Sequence, residues 1–165
     1  MVIRTFQMHS LPVLLLIVEI VSAGILSEVG RIQSVAVSGR LQCNGKPASD
    51  VRVKLYDKEI VLLFHNLTVI YGFCFSLVLD YKMDEGKTDS SGNFYLRGGK
   101  REVTNIDPKV NIYHKCNYDG PCVKKLDIVI PDEYITNSKT PQQVFNIGTI
   151  NLAGTFTGES VDCVN

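Results

Sequence analysis

The sequence predicts an all-β fold: one domain, a sandwich of many short strands. Three observations carry this. Apolar residues recur with a period of two along most patterned stretches. Clusters of Asn, Gly, Pro, Ser and Asp break those stretches at short intervals. No long segment of 3.6-residue period occurs, so helical layers have no material to form from.

The elements follow in order. Val35, Val37 and Leu41 alternate with smaller or polar residues, and Asn44-Gly45-Lys46-Pro47 turns the chain. Val51, Val53 and Leu55 alternate again, with Arg52, Lys54 and Tyr56 on the opposite face. Ser90-Ser91-Gly92-Asn93 is a turn leading to Phe94 and Leu96, and Gly98-Gly99 ends that run. Val110 and Ile112 precede Cys116, and Asn117-Tyr118-Asp119-Gly120-Pro121 turns the chain once more. Leu126, Ile128 and Ile130 form a strand stopped by Pro131, and one helical turn fits between Pro131 and Lys139. Phe145, Ile147 and Ile150 to Leu152 make a last strand with an irregularity at Gly148. Short strands separated by turns throughout are the pattern of a β-sandwich.

Residues 1–23 have the features of a secretory signal peptide. Arg4 gives a positive start, Leu11 to Ile20 an apolar stretch broken only by Glu19, and Val21-Ser22-Ala23 a small-residue cleavage site. The competing reading is an uncleaved anchor, but the apolar run of about ten residues falls short of the ~20 that span a bilayer. The mature domain is expected to cover 24–165, beginning near Gly24, outside the cell, where disulfides persist. The 17 basic and 17 acidic residues balance without a basic run, which excludes the electrostatic footprint of a nucleic-acid partner.

Ile60 to Leu79 departs from the pattern, being almost wholly apolar. By length it fits a membrane span, but that would put the first two strands across a bilayer from the rest, where no core could be shared. A pair of extra buried strands is a second reading. A retained intron is the third and preferred one, because Val61-Leu62 recurs as Val78-Leu79. Excising residues 61–77 leaves Tyr-Asp-Lys-Glu-Ile-Val-Leu-Asp-Tyr-Lys-Met-Asp-Glu-Gly, an ordinary strand-loop-strand sequence. The sequon Asn66-Leu67-Thr68 and Cys74 lie inside this segment and are discounted with it.

From Ser34 to Cys163 the chain resembles the nematode transthyretin-like family. The resemblance rests on Val35-Ala36-Val37-Ser38-Gly39-Arg40-Leu41-Gln42-Cys43-Asn44-Gly45-Lys46-Pro47 and Val51 to Tyr56. It continues through Asp84-Glu85-Gly86-Lys87-Thr88-Asp89, Gly92-Asn93-Phe94, Ile112 to Cys116 and Gly120-Pro121-Cys122. It closes on Ile147 to Leu152 and Asp162-Cys163. The resemblance implies a transthyretin-like, prealbumin-type β-sandwich of seven to eight strands, related to the immunoglobulin-like architecture and exported from the cell. The family lacks an apolar insert at 61–78. One known kind of member bridges phosphatidylserine on dying cells to an engulfment receptor, but no motif here transfers that role.

With Cys74 set aside, Cys43, Cys116, Cys122 and Cys163 allow three disulfide connectivities. Local spacing favours Cys116 with Cys122, which flank a turn and can reach the ~5.5 Å Cα separation of a bridge. That leaves Cys43 with Cys163. A zinc site is the rival, but Cys-x5-Cys beside His114 is poor zinc spacing, so no metal or cofactor is expected.

His9 lies in the signal segment and His65 in the insert, so His114 is the one dependable histidine. On a strand beside Tyr113 it reads as structural. No strained nucleophile turn of the Gly-x-Ser-x-Gly kind is present, so no catalytic residue is assigned. Related sandwich enzymes that hydrolyse 5-hydroxyisourate end in Tyr-Arg-Gly-Ser, whereas this chain ends Asp162-Cys163-Val164-Asn165. Thr88 to Phe94 offers oxygen ligands but lacks an EF-hand loop, and a turn whose Asp and Ser side chains bond the backbone explains it better. The expected function is extracellular binding without catalysis, of a lipid headgroup, a cell-surface receptor or a small hydrophobic ligand. A hydrolase on the same scaffold is the alternative. No integral membrane role is expected.

Overall fold

The computed structural model describes residues 30–63 and 75–164. Its strands are β1 (Arg31–Cys43), β2 (Lys46–Pro47), β3 (Arg52–Leu63), β4 (Phe75–Lys87), β5 (Asn93–Glu102), β6 (Pro108–His114), β7 (Val123–Val129), β8 (Val144–Asn151) and β9 (Ser160–Asp162). A single 3-10 turn, Asp132–Tyr134, falls within the stretch expected to hold one. The fold is all-β, with one sheet of β2, β1, β5 and β8 and another in the order β4-β3-β6-β7-β9.

β1 is the spine of the first sheet. It pairs antiparallel with β5 and parallel with β8, so that Arg40 stands between Asn93 and Thr149. The short β2 continues the β5 side, placing Gln42 opposite Pro47. The irregularity expected at Gly148 is a bulge. The β1–β8 register shifts between Ser38 and Arg40, and Gly148 adopts φ 71°, a left-handed conformation that costs glycine little.

The alternating residues read from the sequence meet between the sheets. Val35, Val37 and Leu41 of β1 and Phe94 and Leu96 of β5 pack in one cluster with Val53, Leu55, Val110, Ile112 and Leu126 of the second sheet. Loop residues Ile106, Ile130 and Leu152 close its margins. Each fully buried large aliphatic contributes about 1.5–3 kcal/mol, so this cluster is the main stabilising term. Buried Gln33 departs from the apolar pattern for a reason. Its Nε2 donates to the Thr104 carbonyl at 2.6 Å and its Oε1 accepts from the Ile106 amide at 3.3 Å, satisfying backbone groups that would otherwise be stranded.

All four dependable cysteines are bridged, but the expected pairing is corrected. The bonds are Cys43–Cys116 and Cys122–Cys163, not Cys116–Cys122 and Cys43–Cys163. The reason is topological. Cys116 leaves the β6–β7 ladder after the last pair, His114 with Lys124, and its side chain joins the buried cluster between the sheets. There it meets Cys43 at the end of β1, so the bond ties one sheet to the other. Asn44 and Asn117, the residues that follow these cysteines, both adopt left-handed φ (53° and 51°) and exchange side-chain amide hydrogen bonds at 2.9 and 3.2 Å. Cys122 and Cys163 lie next to Val123 and Asp162, which pair across β7 and β9. Their bond clips the edge of the second sheet.

The apolar stretch enters the structure at the β3–β4 hairpin. Ile60 pairs with Val78, Val61 with Leu77 and Leu63 with Phe75. The expected insertion, 61–77, is therefore symmetric about the hairpin, because its two ends are cross-strand partners. Residues 64–74, with His65, Asn66 and Cys74, lie outside the described residues, as does the expected signal segment. Among the described residues, no helix is long and apolar enough to cross a membrane.

Candidate ligand cleft

One end of the second sheet carries an open cleft of about 530 Å³. Its lining comes from five places: the loop after β2 (Ser49, Asp50, Val51), the start of β3 (Arg52), the end of β4 (Lys87), the end of β6 (Tyr113, His114, Lys115), and the Cys122–Cys163 bridge with its neighbours Pro121, Val123 and Asp162.

The sequence fixes these positions locally. Thr88 holds the loop before β3: its hydroxyl donates to the Ala48 carbonyl at 2.7 Å and accepts from the Val51 amide at 2.9 Å. Asp50 sits at φ 60° within that loop, and its amide donates to the Thr88 carbonyl at 3.1 Å. The adjoining turn follows the expected chemistry. Asp89 Oδ1 accepts from the Ser91 and Asn93 amides at 2.9 and 2.8 Å, and these bonds, led by that of Asn93, hold its carboxyl below the usual range. Gly92 at φ 81° passes so close to β1 that a Cβ there would stand 2.2 Å from the Leu41 carbonyl oxygen.

Cations outnumber acids on the rim, where Arg52, Lys87 and Lys115 face Asp50 and Asp162. Lys87 pairs with Asp50 at 2.8 Å, Arg52 lies 3.6 Å from Glu85, and Lys115 donates to the Gly120 carbonyl at 3.3 Å. Exposed pairs of this kind are worth little, about 0–1 kcal/mol.

His114 lies at the inner wall, 3% exposed. Its Nε2 is 3.3 Å from Glu159 Oε1, while Lys124 binds the other Glu159 oxygen at 2.8 Å. Among the described residues, neither ring nitrogen has an aligned hydrogen-bond partner, so the approach to Glu159 is one of proximity. Desolvation pushes the imidazole below its ordinary value, outweighing the Glu159 charge that acts the other way. The neutral ring is the form held at neutral pH. Sequence reasoning placed His114 on a strand but did not find Glu159 or Lys124. Glu159 precedes β9, an element too short to show periodicity.

A two-sheet β-sandwich, tied by disulfides and bearing at one end an open cleft rimmed by charged side chains, is the class these features define. The profile of the transthyretin-like family matches residues 38–131. Transthyretin-like protein 5 of Caenorhabditis elegans is 45% identical over 139 residues, covering 83% of this chain and 88% of that protein. Transthyretin-like protein 33 of the same organism is 40% identical over 141 residues, covering 84% and 87%. The chain belongs to the transthyretin-like family. Among solved structures, a 9R-lipoxygenase from Cyanothece aligns over 73% of this chain and 16% of its own, at 13% identity and TM-score 0.35, a likeness too loose to define a shared fold.

Proposed function

We propose that this protein is a secreted, non-catalytic binding member of the transthyretin-like family that receives an anionic headgroup in the cleft between Arg52, Lys87 and Lys115. The observation that carries this is the lining itself: cations in excess on an open rim, with apolar contact from Val51, Tyr113, Pro121, Val123 and the adjoining disulfide. An anionic headgroup pairs with these rim cations, which a small hydrophobic ligand does not. The hydrolase alternative needs a base hydrogen-bonded to a nucleophile or water. Against it, the His114 ring is buried and faces the Glu159 carboxylate, not a nucleophile. Secretion is supported by the charge and apolar pattern of residues 1–23 and by two disulfides, which suit an oxidising compartment.

The test is co-sedimentation of the secreted protein with vesicles of phosphatidylcholine alone or mixed with phosphatidylserine. N-terminal sequencing of the same material is expected to begin near Gly24. Binding to the anionic vesicles, lost in Lys87→Gln/Lys115→Gln, supports the reading. Equal binding to both vesicle types, no binding to either, or turnover of 5-hydroxyisourate that disappears in His114→Ala would overturn it.

A further inference from the structure

The far end of the sandwich carries a second feature, unconnected with the cleft. Along β3 the inward positions run Val53, Leu55, Asp57 and Glu59, and along β5 they run Phe94, Leu96, Gly98, Lys100 and Glu102. The first members of both series belong to the apolar core. The last members replace it with three carboxylates and one ammonium. One oxygen from each of Asp57, Glu59 and Glu102 lies within 4.8 Å of the other two.

Asp57 is the most buried carboxylate of the cluster and pairs with Lys100 at the longest distance. Its side chain is 1% exposed. Oδ1 accepts the Asp107 amide at 2.7 Å, which fixes the carboxylate in place. Oδ2 turns into the cluster and accepts no hydrogen bond among the described residues, its ion-pair partner Lys100 Nζ standing 3.6 Å away. A buried carboxylate oxygen without a donor is costly unless something fills its coordination. Lys100 divides its charge among Asp57, Glu59 and Glu102, with which it forms a 2.8 Å bond, and lies 4.8 Å from the centre of the Tyr81 ring. One ammonium thus faces three carboxylates. Its side chain is 22% exposed, so it has a way out to solvent.

We propose that Asp57, Glu59 and Glu102 form a binding site for a hard divalent cation of the calcium type, with Lys100 as the counter-ion that yields to it. The donor set is all oxygen, which selects against zinc and copper. Calcium takes carboxylate oxygens into a flexible shell at ~2.3–2.6 Å, which water can complete. On binding, the ion takes the unmet Asp57 oxygen and the two glutamates, water completes the shell, and the Lys100 ammonium moves outward past Tyr81. The ion then bridges β3 of one sheet to β5 of the other, at the end opposite Cys43–Cys116.

Terbium(III) luminescence reads this directly, because the chain has no tryptophan and Tyr81 lies beside the site to sensitise the ion. The full, disulfide-bonded protein is titrated with terbium, then with calcium chloride as competitor. One saturable site, displaced by calcium, is expected. Glu59→Gln and Glu102→Gln should each weaken it by roughly tenfold or more. Both residues are partly exposed, so these variants are expected to fold, which circular dichroism checks. Tyr81→Phe should dim the emission while leaving the calcium affinity unchanged. Absence of saturable terbium binding, or binding that survives both glutamine variants at full affinity, would overturn the proposal.

Discussion

Replacing Cys43 and Cys116 together by serine should be the more damaging of the two disulfide deletions. The bond spans 73 residues of sequence, and the chain-entropy treatment assigns it ~4.4 kcal/mol. Cys122–Cys163 spans 41 residues, for ~3.9 kcal/mol. Loop length alone therefore separates them by only ~0.5 kcal/mol. Their surroundings separate them further. Cys116 belongs to the buried cluster, so a serine there strands a hydroxyl among apolar neighbours, at a cost of about 1–3 kcal/mol. Cys122–Cys163 joins strand ends whose register β7 and β9 already set, and it borders the open cleft. The expected losses are about 5–7 kcal/mol for Cys43→Ser/Cys116→Ser and about 4 kcal/mol or less for Cys122→Ser/Cys163→Ser. Against a net stability of ~5–15 kcal/mol, the first variant should sit near the unfolding threshold and the second should remain folded. Urea denaturation followed by far-ultraviolet circular dichroism measures both, and non-reducing peptide mapping fixes the bonds. A Cys122–Cys163 deletion as costly as the other, or recovery of Cys116 linked to Cys122, would refute the reasoning.

Two further outcomes follow from the same structure. A chain lacking residues 61–77 should fold with both disulfides intact, because Ile60 and Val78 are cross-strand partners and every outer β3–β4 pair keeps its register. Its urea midpoint should match or exceed that of the full chain, and cDNA across the junction should lack the matching 51 nucleotides (17 codons) if the segment is intronic. Loss of either disulfide in the shortened chain would count against this. His114 should make stability depend on pH. Burial holds its folded pKa below the ordinary 6.5, so the ring contributes no pH dependence well above that value. As the pH falls below about 6.5, the unfolded chain takes up a proton that the folded chain resists, and stability declines. Asp57 acts in the opposite sense at lower pH, since burial raises its carboxyl and the folded state is then the first to take up a proton. Urea midpoints from pH 8 to 5 should fall in the wild type and flatten in His114→Gln. An unchanged slope in that variant would assign the effect elsewhere.

The sequence by itself determined the all-β class, the inward faces of β1, β3, β5 and β6, the bulge at Gly148, the turn at Asp89, and the family resemblance. Each depends on local geometry: side chains alternate along a strand, glycine tolerates positive φ, and an Asp before a turn bonds the backbone amides just after it. Short β2 and β9 were not legible, because two or three residues carry no periodicity. Only the tertiary structure decided which cysteines meet, which residues surround His114, and that the inward positions of β3 and β5 change from apolar to charged on facing strands. These depend on contacts between residues far apart in sequence. Cys116 and Cys122 are close along the chain, yet the turn after β6 carries Cys116 into the space between the sheets, where Cys43, 73 residues away, is the thiol within reach. Sequence distance bounds which atoms can meet, and the packing of one sheet on the other selects which of them do.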